Sequence, residues 1–158
     1  MGASVAILMG SKSDLEHVNQ IGSILESFGI PYEMRVASAH KSVRHLLGAI
    51  EAYADAEGPM VFIAVAGRSN ALAGMLDANT AWPVITSPPV SSSFAGADIY
   101  SSLRMPSGVA PMVVLDPKGA ALAAVKILAL SDPALSQRVR DYQNEMTAAI
   151  LAADESLR

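Results

Sequence analysis

Four short polar segments carry the side chains best suited to chemistry. In Gly10-Ser11-Lys12-Ser13-Asp14 a flexible residue, two hydroxyls and a cation stand where a helix is due to begin. Free backbone N–H groups and the positive end of the helix dipole attract an anion at such a place. Phosphate suits it, and a carboxylate beside a phosphate loop, here Asp14, can hold the vicinal hydroxyls of a ribose. Ser11 or Ser13 equally suits a plain helix cap, and the loop matches neither Gly-rich nucleotide fingerprint. Ser38-Ala39-His40-Lys41 sets an imidazole next to a cation. With an unperturbed pKa of about 6.5, an imidazole gives and takes protons near neutrality, while Lys41 offers a point charge to a phosphate or carboxylate. From Ala64 to Gly74, small residues flank the fork-shaped cation Arg68, the hydroxyl of Ser69 and the amide of Asn70. Gly67 can expose its N–H to a ligand, and Ser69 can open a helix while bonding to it. Ser101 to Gly108 adds Arg104 in a polar loop that either covers a site or simply ends a helix near its dipole. The remaining histidines, His17 and His45, fall within helical patterns, where packing or surface roles are expected.

Positioning these segments requires an alternation of strands and helices. Val5 to Met9 is a short apolar run, and Leu15, Val18, Ile21, Ile24, Leu25 and Phe28 then recur every three or four residues, as one helix face does. Gly29 to Pro31 stops that helix, Tyr32 to Ala37 reads as a strand, and Val43, Leu46, Leu47, Ile50 and Tyr53 mark a second helix. Met60 to Ala66 is almost wholly apolar, the mark of a strand covered on both faces of a parallel sheet. Helices near 70–78 and 94–103, strands near 84–86 and 111–115, and helices over 119–130 and 133–153 complete the pattern. An α/β fold is predicted: a three-layer, doubly wound, flavodoxin-like sheet of about five parallel strands in order 2-1-3-4-5, with a long C-terminal helix. Ligands in such sheets bind beyond the carboxyl ends of the strands where the strand order reverses. That crevice lies between the first and third strands, and the loops delivered to it are 10–14, 38–41 and 66–70. The last helix carries Leu135, Val139, Tyr142, Met146, Ile150 and Leu151 on one face, which suits the sheet or, preferably, a neighbouring subunit.

Composition narrows the function. The chain has 158 residues, enough for one domain spanning 1–158, and no fixed repeat or linker divides it. Hydrophobic residues make up 51% and charged residues 16%, so disorder is a poor reading and partial burial against copies of the same chain is a natural one. A net charge of -4 gives no basic field for nucleic acid or an anionic membrane. With no Cys, thiolate catalysis, disulfides and iron–sulfur clusters are excluded, and no His or carboxylate cluster suits a metal. Met1 to Met9 is too short to cross a bilayer, and Pro83, Pro88 and Pro89 interrupt the uncharged stretch Ala78 to Ala97, so a cytoplasmic protein is expected. Together the loops suggest a site for a small phosphorylated ribosyl compound, with one proton-transfer residue and several hydrogen-bond donors.

Gly-Ser-x-Ser-Asp, Ser-Ala-His-Lys, Ala-Gly-Arg-Ser-Asn and Ser-Ser-Leu-Arg-Met-Pro-Ser-Gly, in this order and spacing, resemble the phosphoribosylaminoimidazole carboxylase family of purine biosynthesis. The likeness runs over nearly the whole chain. One branch of the family moves a carboxyl group from N5-carboxyaminoimidazole ribonucleotide to ring carbon 4; the other, class II, adds CO2 to aminoimidazole ribonucleotide. Lys41, Arg68-Ser69-Asn70 and Ala71 stand where the mutase branch usually has Arg, a Gly- and Ala-rich run and a further His, so the chain resembles class II. The resemblance implies His40 as the catalytic proton-transfer residue, with Ser11, Asp14, Ser38, Lys41, Gly67 and Ser69 binding the ribonucleotide. It further implies no cofactor, and a homo-oligomer, tetrameric or octameric. A non-catalytic flavodoxin-like module is the alternative of another class; a receiver would need an acidic pair where Gly10-Ser11 stands and an Asp near Gly67-Arg68.

Overall fold

Runs that are apolar at almost every position suit strands inside a sheet covered on both faces, and two strands have this character. In the computed structural model, which describes residues 4–158, these are β1 (Ser4–Met9) and β3 (Met60–Val65), adjacent at the centre. With β2 (Tyr32–Val36), β4 (Val84–Thr86) and β5 (Met112–Val113) they form one parallel sheet in the order β2-β1-β3-β4-β5. The order, strand number and parallel sense are those expected. Met1 to Ala3, the start of the apolar run weighed as a membrane segment, lie outside the described residues.

Because successive strand side chains point to opposite faces, β1 feeds two cores. Val5, Ile7 and Met9 pack with α1 (Leu15–Ser27), α5 (Pro117–Leu128) and the start of α6 (Pro133–Glu155). Ala6 and Leu8 face α2 (Val43–Glu51) and α3 (Ala71–Asp77). The fully buried Ala120, Ala121 and Ala124 let α5 lie close on the sheet. These are the three layers predicted. Among the described residues no helix is long and apolar enough to cross a membrane.

Three boundaries differ from expectation. The helix predicted over 94–103 is broken into single turns at Ser92–Phe94 and Ala97–Ile99 and a short α4 (Tyr100–Leu103), because Ala95 and Gly96 adopt left-handed backbone with φ of 48° and 81°. Helix α5 starts two residues earlier than expected: Asp116 accepts from the Gly119 N–H at 2.6 Å and Pro117 suits the first turn. Only Met112 and Val113 of the strand expected over 111–115 pair, along the sheet edge. Helix α6 divides its face. Leu135 and Val139 are buried in the first core, and Tyr142 meets Phe28 with ring centroids 5.4 Å apart. Met146, Ile150 and Leu151, one to two turns further on, stand exposed.

Candidate active site

The loops that follow β1, β2 and β3 meet because β1 sits between its two partners. The Gly10 N–H donates to Val65 O at 2.9 Å, and the Ala37 N–H donates to Met9 O at 2.9 Å, so each loop leaves the sheet beside the next. They bound an open cleft of about 690 Å3. All seven expected residues line it: Ser11 and Asp14, Ser38, His40 and Lys41, and Gly67 and Ser69. The crevice therefore lies at the reversal of strand order, as the topology requires.

Each loop has its own local cause. Ser11 Oγ accepts from the Ser13 N–H at 3.2 Å, while Asp14 Oδ2 accepts from the Ser11 N–H at 3.1 Å, a capping box that turns the chain into α1. The capping role weighed for Ser11 is thus present, and the second oxygen of Asp14 has no partner among the described residues. Burial raises the Asp14 pKa above its ordinary value, against the opposing pull of the Ser11 N–H and of His17. In the second loop, Ser38 and Ser42 close a tight turn. Ser42 Oγ donates to Ser38 O at 3.2 Å and accepts from the Ser38 N–H at 3.0 Å, and Ser38 Oγ accepts from the Lys41 N–H at 3.2 Å. His40 and Lys41 project from its exposed apex, and the His40 ring has no hydrogen bond to a described residue. In the third loop Gly67 lies so close to the neighbouring wall that an added Cβ would stand 3.0 Å from Pro89 O.

The wall formed by Pro89 to Ser93 was not foreseen from the sequence. Three consecutive serines were visible, yet nothing in periodicity showed that they would face the other loops. Arg68, the fork-shaped cation of the third loop, also lines the cleft. The segment 104–108 does not line the cleft; Met105 instead packs beside Gly74, where an added Cβ would meet its sulfur at 3.3 Å. Its helical forerunner, Ser101 and Ser102, bonds to the third loop. Among the described residues no group of three or more His, Asp or Glu is placed to hold a metal ion.

The other histidines serve structure, as expected. His45 Nε2 lies 3.1 Å from Val36 O. His17 Nε2 lies 2.9 Å from the Oγ of fully buried Ser87, whose hydroxyl donates to Leu115 O at 3.2 Å; with that proton committed, His17 is the donor. Burial lowers the His17 pKa below 6.5, more than the Ser87 hydrogen bond and the charges of Asp14 and Asp116 raise it. Unfolded His17 therefore binds a proton more tightly than folded His17. Its contribution to stability is complete above the unfolded value and is lost as pH falls through the lowered folded value. In thermal melts, His17→Gln, which keeps an N–H for Ser87, is expected to lose less Tm than wild type on going from about pH 7.5 to about pH 5.5. Equal losses in the two proteins would show that His17 does not set this dependence.

Comparison with known proteins shows the family. Residues 4–149 match the AIR carboxylase family. The chain is 52% identical to phosphoribosylaminoimidazole carboxylase of Archaeoglobus fulgidus over 99% of its own length and 86% of that protein. It is 46% identical to phosphoribosylaminoimidazole carboxylase of Treponema denticola, covering 98% of this chain and 97% of that one. A crystal structure of Treponema denticola PurE superposes with a TM-score of 0.96 at 46% identity, covering 99% of both chains. Identity of this order along almost the full length, together with the superposition of the five-stranded fold, makes the chain a member of the AIR carboxylase family of purine biosynthesis enzymes.

Proposed function

We propose that the chain, as one functional domain in the cytoplasm, carboxylates 5-aminoimidazole ribonucleotide at carbon 4 with CO2, giving 4-carboxy-5-aminoimidazole ribonucleotide. The observation that carries this reading is the gathering of one imidazole, the cations Lys41 and Arg68 and the carboxylate of Asp14 around a single cleft. The aminoimidazole ring is an enamine, so carbon 4 attacks the CO2 carbon and forms the new carbon–carbon bond without prior activation by ATP or biotin. One C–O π pair moves onto oxygen, and carbon 4 becomes tetrahedral while keeping its hydrogen. His40 takes that proton, the C–H pair restores the aromatic ring, and the reverse reaction starts when His40 returns it. The rest of the site orients and desolvates the partners. Asp14 holds the ribose hydroxyls through its unpartnered oxygen, Ser11, Ser38 and Lys41 approach phosphate or carboxylate, and the turn containing Gly67 and Ser69 lines the CO2 pocket.

Lys41 and the Arg68-Ser69-Asn70 turn favour CO2 over N5-carboxyaminoimidazole ribonucleotide as carboxyl donor. The deciding experiment supplies purified protein with aminoimidazole ribonucleotide and isotopically labelled CO2 in the absence of ATP, and follows label into the product carboxylate. Label in the product is expected. Product formed only from the N5-carboxylated ribonucleotide, without label from CO2, would replace this reading with the mutase. A protein that turns over neither, and that is yellow from bound flavin, would belong to the non-catalytic class.

The same reading includes a homo-oligomer, a tetramer or octamer. Its support is the far half of α6, where Ile150 is 72% and Leu151 60% exposed on an otherwise continuous apolar stripe. A charge there is expected to weaken assembly without unfolding the chain. Light scattering on Ile150→Glu should give a smaller mass than wild type at equal concentration, with circular dichroism showing the helical content retained. A monomeric wild-type protein would remove the assembly from the proposal.

A further inference from the structure

One residue at the cleft adopts a backbone conformation that its side chain disfavours. Arg68 has φ of 59°, in the left-handed region where an L-residue with a Cβ is strained and glycine is at ease. Strain of this kind persists only where surrounding contacts hold it, and it gathers at functional sites. Here the contacts come from a different part of the chain. The Arg68 N–H donates to Asp98 Oδ2 at 2.8 Å. Ser101 Oγ accepts from the Asn70 N–H at 3.0 Å, and its single proton lies between two carbonyl acceptors, Asp98 O at 2.8 Å and Arg68 O at 2.9 Å. The broken helical region after β4 thus grips the main chain on both sides of the Arg68 side chain. The guanidinium itself has no hydrogen bond or ion pair with a described residue and stands exposed at the cleft wall. A glycine would satisfy the turn without strain, so the strained arginine has to be explained by what its side chain reaches.

We propose that Asp98 is a positioning residue: by fixing the Arg68 main chain in the left-handed conformation it presents the Arg68 guanidinium to the cleft as a contact for the anionic groups of the substrate. The ligand half of this proposal rests on the ribonucleotide reading above; the clamp does not. An anion bound there, phosphate or carboxylate, takes two parallel N–H donors from the fork, which a flexible ammonium such as Lys41 cannot supply in one plane. Asp98 does not line the cleft, and its Oδ2 is engaged by the loop.

The test is a binding and turnover cycle on the full-length protein with 5-aminoimidazole ribonucleotide as the probe. Removing a hydrogen bond to a charged group weakens binding about tenfold or more, so Arg68→Ala and Asp98→Ala should each raise Kd and KM by about that factor. The turnover of the saturated enzyme should change far less, the pattern of a contact made equally in ground and transition states, whereas a loss of folded protein alone would lower turnover and leave KM unmoved. The double variant should bind no worse than the weaker single one, since both changes remove the same contact. Asp98→Asn, which keeps an oxygen acceptor for the Arg68 N–H, should return most of the affinity. Multiplying effects in the double variant, or Asp98→Asn as damaged as Asp98→Ala, would overturn the proposal. Hydrogen exchange at the Arg68 amide separates the clamp from the choice of ligand. Slow exchange in wild type that becomes fast in Asp98→Ala supports the clamp, and equal rates overturn it. Wild-type protein that does not bind the ribonucleotide overturns the functional reading and the ligand contact together, while the exchange result still decides the clamp.

Discussion

His40→Asn protein saturated with aminoimidazole ribonucleotide and CO2 should turn over about 10²–10⁴-fold more slowly than wild type, the usual contribution of a positioned acid–base group. Asparagine preserves polarity and approximate reach but cannot accept a proton at neutral pH, so carbon–carbon bond formation stalls at the tetrahedral carbon 4. Ribonucleotide affinity, measured by calorimetry, should stay close to wild type because the phosphate and ribose contacts belong to the other loops. The melting profile should also be unchanged: the ring is exposed and has no hydrogen bond to a described residue. The residual rate would measure what orientation and desolvation accomplish without a proton acceptor. A variant that keeps more than about a tenth of wild-type turnover would release His40 from proton transfer, since even the weakest acid–base contribution exceeds that. The water or neighbouring group that then removes the proton would have to be sought among the serines of the Pro89 to Ser93 wall.

The parts of this site that could be read in the sequence are those fixed by hydrophobic periodicity. Met60 to Val65 is buried at every position, and a six-residue apolar run set between Gly58-Pro59 and Gly67 reads as an interior strand. Once β1 and β3 are interior and parallel, right-handed crossovers leave their loops at one edge of the sheet, and the meeting of 10–14, 38–41 and 66–70 follows. What could not be read depends on contacts between segments distant in sequence. Ala95 at φ 48° gives no local signal, because alanine favours helix everywhere else, and this residue ends the helix predicted over 94–103. The break in turn lets Asp98 and Ser101 face the third loop instead of lying along a regular helix surface. Arg68 was visible as a cation, but its left-handed backbone is imposed from thirty residues away in the chain, by Asp98. The far half of α6 shows the opposite case. Its apolar stripe was plain, and the single chain leaves Ile150 and Leu151 uncovered.

Asn70 was legible only as one amide in a polar cluster, and the structure gives it the largest expected effect on stability. It is 3% exposed and uses every side-chain hydrogen-bonding direction that matters. Its Nδ2 donates to Thr86 Oγ1 at 2.8 Å and to Ser102 Oγ at 2.9 Å, while its Oδ1 accepts from the Ala73 N–H at 3.2 Å and so caps α3. One side chain therefore joins the third site loop to β4, to α4 and to the helix that follows it. Asn70→Ala removes the cap and leaves buried hydroxyls short of a partner, at a combined cost of about 2–4 kcal/mol. For a chain of this size that is a fall in Tm of roughly 4–16 °C. Asn70→Asp distinguishes the two contributions. A carboxylate keeps the acceptor for the Ala73 N–H but offers no donor. It faces Thr86 Oγ1, whose own proton is directed to Ala64 O at 3.2 Å, and it must be desolvated at a buried position. The Asp variant should therefore melt at or below the temperature of the Ala variant, despite retaining the cap. If Asn70→Asp melts close to wild type, helix capping alone accounts for the residue, and the bridge from the site loop to β4 contributes little to the fold.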